Sequence, residues 1–101
     1  MGIDVQLGNL SGDIIEEVGD AQAILSHASL KAFSGTRLLR YLVPWGDAIF
    51  NQAQADDLLN DIHIIKSNNP GTPLSEMLSE LEPLVEKLSC ESHLYLWFVG
   101  D

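Results

Sequence analysis

The hydrophobic pattern changes period several times along the chain, and each change marks an element. Ile3, Val5 and Leu7 alternate with Asp4 and Gln6, the period of two expected of a strand with one wet face. The turn residues of "GNLSGD" follow, and "DIIEEV" resumes an extended pattern. This predicts a β-hairpin over residues 2–18. Ala21, Ile24, Leu25 and Ala28 then fall on one helical stripe behind Asp20, a good N-cap. Gly35 ends this short helix. In "TRLLRYLV", Leu39, Tyr41 and Val43 alternate with Leu38, Arg40 and Leu42, so the pattern predicts a strand that stops at Pro44. "PWGD" reads as a turn and "AIF" as a short returning strand.

Two longer helices come next. Ala55, Leu58, Leu59, Ile62 and Ile65 form the apolar stripe of a helix over residues 54–66. After the loop "SNNPGT", Thr72 caps a second helix with Pro73 at its first position, where a missing N–H costs nothing. Leu74, Met77, Leu78, Leu81, Leu84, Val85 and Leu88 keep one face apolar across the interior Pro83, which predicts one helix bent at the proline. The last strand, residues 93–99, is apolar on both faces, the pattern of a strand covered on both sides and central in its sheet.

The order β-β-α-β-(β)-α-α-β predicts an α+β domain spanning residues 1–101. Its sheet is mostly antiparallel, of about four strands, with the C-terminal strand central and the helices mainly on one face. The apolar fraction of 46% suits one globular domain of 101 residues.

Charge narrows the functional reading. Fifteen carboxylates against five basic residues give a formal charge of −10. Such a surface repels nucleic acid and anionic membranes, and it attracts a basic partner. The stretch "MGIDVQLGNL" lacks the basic start and long apolar run of a signal peptide, and the longest apolar run is six residues. A cytoplasmic protein that does not enter the membrane is the expectation.

No motif carries a catalytic constellation. Gly12-Asp13, Gly19-Asp20, Gly46-Asp47 and Gly100-Asp101 read as turns, with glycine reversing the chain and aspartate capping local amides. The competing reading gathers Asp20, Asp47 and Asp101 at one sheet edge around a divalent cation. His27, His63 and His93 lack the spacing of a helical metal site, and the lone Cys90 has no general-base partner. No catalytic, cofactor-binding or metal-binding residue is assigned, and no cofactor is expected.

Two surfaces are candidates for partner binding. Asp57 and Asp61, four apart and beside Asp56, share one face of the first long helix, and Glu76, Glu80 and Glu86 read as solvated on the second. On the last strand His93, Tyr95, Trp97 and Val99 share the face opposite Leu94, Leu96 and Phe98. If that face is wet, Tyr95 and Trp97, with Trp45 nearby, form an aromatic hot spot with a polar rim.

The segments "MGIDVQL", "VPWGDAIFN" and "HLYLWFVGD" resemble a group of small, uncharacterised bacterial proteins. That group shares an MGI-D strand, a Pro-aromatic-Gly-Asp turn before a Phe-Asn pair, and an aromatic strand closing in Gly-Asp. The matching residues here are Gly2, Ile3, Asp4, Pro44, Trp45, Gly46, Asp47, Phe50, Asn51, Tyr95, Phe98, Gly100 and Asp101. Trp45 stands where the group has a smaller aromatic. The resemblance implies a bacterial cytoplasmic protein and carries over no catalytic residue. In size and acidity alone the chain is also similar to immunity proteins that neutralise toxins.

The expected function is therefore a non-enzymatic protein-binding module, an inhibitor or immunity-type partner of a basic bacterial protein. Asp56, Asp57, Asp61, Glu76, Glu80, Trp45, Tyr95 and Trp97 are its candidate contacts. The alternatives are a small metal-dependent enzyme using Asp47 with Asp57, Asp61 or His63, and a homodimer joined through the aromatic face.

Overall fold

A computed structural model describes residues 3–18, 29–43 and 45–100. Its sheet has four strands: β1 (Ile3–Asn9), β2 (Ile14–Glu17), β3 (Ala48–Phe50) and β4 (Leu94–Gly100). All neighbours are antiparallel, in the order β2-β1-β4-β3. The strand that is apolar on both faces is thus central, between β1 and β3, as its composition predicts. The β1–β2 hairpin forms where the alternation places it. Its turn is held by Asn9, whose Oδ1 accepts the amides of Ser11 (3.0 Å) and Asp13 (3.1 Å). Gly12 takes the positive φ of 88° that the reversal needs. A bulge between Leu7 and Gly8 shifts the register of the hairpin.

Among the described residues two helices cover one face of the sheet: α1 (Ala55–Asn68) and α2 (Pro73–Cys90). A 3-10 turn, Gln52–Gln54, leads into α1 under a reciprocal capping box between Asn51 and Gln54. Thr72 caps α2 by accepting the amide of Ser75 at 3.2 Å, and the helix runs through Pro83 without interruption. Leu58, Ile62 and Ile65 of α1 and Met77, Leu78, Leu81, Val85 and Leu88 of α2 are buried with Ile3, Val5, Leu7, Leu94, Leu96 and Phe98. Burying each such side chain contributes roughly 1.5–3 kcal/mol against leaving it in water. Phe50 and Phe98 meet edge to face with centroids 5.6 Å apart, joining β3 to the same core. Lys66 bridges the helices to Glu82 at 2.7 Å.

One predicted strand is absent. Residues 36–43 form no strand: Leu39–Tyr41 is a 3-10 turn. Leu39 and Leu42, three apart, are the buried pair, while Arg40 and Tyr41 face solvent. The carboxylate of Asp61 decides this conformation. It accepts the amides of Arg37 (2.9 Å), Leu38 (2.8 Å) and Leu39 (3.2 Å), which gives the donors of a tight turn partners that a lone strand would lack. The helix predicted behind Asp20 lies outside the described residues. Within them the chain resumes as a 3-10 turn, Ser29–Phe33, whose Phe33 is buried. Among the described residues no helix is long and apolar enough to cross a membrane.

Candidate functional site

The face of the sheet opposite α1 and α2 carries the residues that alternate outward. Strand pairing sets them in rows. Ile49, Trp97, Gln6 and Glu17 lie side by side across β3, β4, β1 and β2, and Tyr95, Gly8 and Ile14 form the next row. Val99 and Asp4 form a third. Tyr95, Trp97 and Val99 are half-buried, while Ile49 is 60% exposed and Leu10, in the hairpin turn, 75%. Asn9, Leu10, Ile49, Tyr95 and Trp97 line a groove of about 210 Å³. Trp97 lies low in this face because Gly8 has no side chain: a Cβ at Gly8 would stand 2.9 Å from Trp97 Cζ3. The alternation of Tyr95 and Trp97 against a buried Leu94-Leu96-Phe98 face is as the sequence predicts.

Charge on this face has one sign. The four strands and the hairpin turn contain Asp4, Asp13, Glu16 and Glu17 and no lysine or arginine. Glu16, opposite Leu7, faces the helix side and meets Lys87 at 2.8 Å. The hydrogen bond and charge of Glu16 hold the Lys87 pKa above 10.5. Asp4 and Glu17 point the other way, beside the aromatic rows.

The helix acids occupy the opposite side of the molecule. Asp56, Glu76 and Glu80 are exposed on the helix surface turned away from the sheet. Asp57 is half-buried and meets Arg37 at 3.5 Å. In this two-layer domain these acids stand on the helix layer and the Tyr95–Trp97 pair on the sheet. Asp61 corrects the expectation of a solvated carboxylate. It is 0% exposed, and both its oxygens accept backbone amides, so no partner reaches it. The sequence holds the signal for this: Leu58, Asp61, Ile62 and Ile65 follow the i, i+3, i+4, i+7 spacing of the buried stripe. Trp45 is 68% exposed in the turn before β3 and does not line the groove. Ile49 and Leu10 are groove residues that sequence reasoning missed, as is the role of Gly8 beneath Trp97. The position of Ile49 between Ala48 and the buried Phe50 marks it as outward-facing.

For metal or nucleophile chemistry the described residues offer little convergence. No group of three His, Cys, Asp or Glu among them is arranged to hold a metal ion. Asp47 Oδ1 accepts the amide of Gly100, 53 residues further on, at 3.0 Å; this contact ties the turn before β3 to the end of β4 and is not the local capping expected of a Gly-Asp turn. Asp20 and Asp101 lie outside the described residues, as does His27. His63 is exposed on α1, and His93 lies 3.8 Å from Glu91. Cys90 is exposed at the end of α2, with Ser89 Oγ at 3.8 Å.

No protein-family model, curated protein or solved structure matches the chain.

Proposed function

We propose that the chain is a non-enzymatic protein-binding module, an inhibitor or immunity-type partner of a basic bacterial protein. The observation that carries this reading is the outer sheet face: aromatic and aliphatic side chains at Tyr95, Trp97 and Ile49, with acids and no lysine or arginine on the strands that form it. Large apolar side chains at partial exposure supply contact energy when a partner desolvates them, and a polar rim excludes water around them. The acids of α1 and α2 belong to the helix layer, not to the sheet. They contribute instead through the long-range field of a chain with net charge −10, which speeds the encounter with a cationic protein. An interface of about 800 Å² on each side suffices for a specific complex.

The test is a pull-down from bacterial lysate at low and high salt, run in parallel with Ile49→Ser. The expected result is a basic protein that binds at low salt, leaves as salt rises, and is not retained by the variant. Recovery of nothing at low salt, or retention that ignores both salt and the variant, overturns the reading.

A further inference from the structure

The groove between the hairpin turn and β3 defines the chemistry of what it holds. Its volume of about 210 Å³ exceeds the roughly 150 Å³ cavity known to admit benzene. It therefore has room for one large aliphatic or aromatic side chain. Its walls, Leu10, Ile49, Tyr95 and Trp97, are apolar or aromatic, with Asn9 as the polar member. Trp97 is seated against the backbone of Gly8, in space that a Cβ there would take, and a ring already seated leaves less ordering to be done on binding.

The surroundings set the second requirement. In the row Ile49, Trp97, Gln6, Glu17, the carboxylate strand lies two strand positions from Trp97. At about 4.8 Å per strand, that is about 10 Å. Asp4 lies on the same face, one row along. An extended chain covers about 10 Å in about three residues, and the length of a lysine or arginine side chain shortens the need to two. A second copy of this chain does not meet the requirement, because its own sheet face brings the same acids and no cation.

We infer that the groove is an anchor subsite that takes one large apolar side chain from an extended cationic segment of a partner protein, with a lysine or arginine two or three residues away meeting Glu17 or Asp4. This rests on the reading that the partner is a basic protein, and it locates the contact on the sheet rather than on the helices.

The experiment selects a displayed library of random peptides of about 12 residues against the intact protein at low salt. The most enriched peptide is then synthesised and its contacts are mapped by amide chemical shifts. The enriched peptides are expected to share an apolar residue with lysine or arginine two or three positions away. The shift changes are expected to cluster at Gly8, Ile49, Tyr95 and Trp97. Glu17→Gln, at an exposed position, should weaken binding about two- to fivefold, and Ile49→Ser about tenfold. Changes centred on Asp56 and Glu80 instead would remove the subsite while leaving the basic-partner reading in place. Enrichment of no cationic peptide would remove both. Sedimentation showing a dimer of the free protein with the groove covered would overturn the subsite and replace it with self-association.

Discussion

The indole of Trp97 lies against the backbone of Gly8 on the neighbouring strand. A Cβ at Gly8 would stand 2.9 Å from Trp97 Cζ3 and 2.9 Å from the carbonyl oxygen of Asp13. The ring is able to swing aside, but the Asp13 carbonyl belongs to the hairpin backbone, whose Asn9–Asp13 hydrogen bonds fix it. Gly8→Ala is therefore expected to destabilise the fold by about 1–3 kcal/mol, as overpacking of a tight site does. It should also lift Trp97 from its seat. Urea melts give the first effect, and near-ultraviolet circular dichroism the second. An unchanged melting midpoint with an unchanged aromatic spectrum would contradict the close packing.

Asp61 joins α1 to the 3-10 turn at Leu39–Tyr41 through three backbone amides. Asp61→Ala leaves those donors without their acceptor inside the protein, at a cost of about 3–5 kcal/mol. Asp61→Asn keeps one acceptor oxygen and should cost less. The measurement is a denaturant series on both variants. Equal losses would mean that the site responds to side-chain volume and not to hydrogen bonding.

The contrast between Asp61 and β4 explains what is legible in this sequence. A strand announces itself locally: in Leu94–Gly100 the alternation separates Leu94, Leu96 and Phe98 from Tyr95 and Trp97 without knowledge of any neighbour, and apolarity on both faces indicates a central position. The helices are legible for the same reason, with Thr72 and Pro73 marking a start as clearly as the stripe marks a face. Residues 37–43 are not. Leu38, Leu39, Tyr41, Leu42 and Val43 offer an apolar residue in either register, so strand and turn patterns both fit, and the group that decides is 22 to 24 residues away in the chain. The candidate site divides likewise. Tyr95 and Trp97 were readable from alternation. That the helix acids lie on the far side from them, and that Ile49 and Leu10 complete the groove, depends on strand order and register.

Lys87 and Glu16 tie α2 to the edge strand β2 at 2.8 Å. The hydrogen bond and charge of Glu16 raise the Lys87 pKa above 10.5. The charged lysine is thus favoured in the folded state. Its contribution is fully present below the unfolded pKa and is lost as pH rises through the folded one. In Glu16→Gln that contribution is missing at neutral pH already. The stability difference between the native protein and the variant should hold steady through neutral pH and close above 10.5. Added salt should shrink it, since both side chains are partly exposed. Denaturant midpoints across the alkaline range give the comparison. A difference that widens with pH would assign the effect to another group.

The central place of β4 makes the fold depend on its most distant pairing. Residues 94–100 pair with β1, more than eighty positions earlier, and with β3 on the other side. They also bring Leu94, Leu96 and Phe98 into the core. Without β4 the hairpin and β3 have no common neighbour, and the apolar stripes of α1 and α2 lose the sheet layer that covers them. Removal of residues 92–101 should therefore abolish cooperative unfolding rather than lower its midpoint, leaving helical signal that fades gradually on heating. In the intact chain the same long-range closure should make β4 pairing a late event in folding. Conservative core substitutions in β4, such as Leu96→Ala, should then mainly accelerate unfolding, while their counterparts in α2, such as Leu81→Ala, slow folding more. Stopped-flow chevrons for the two variants test this order, and a slowed folding limb for Leu96→Ala with none for Leu81→Ala would reverse it.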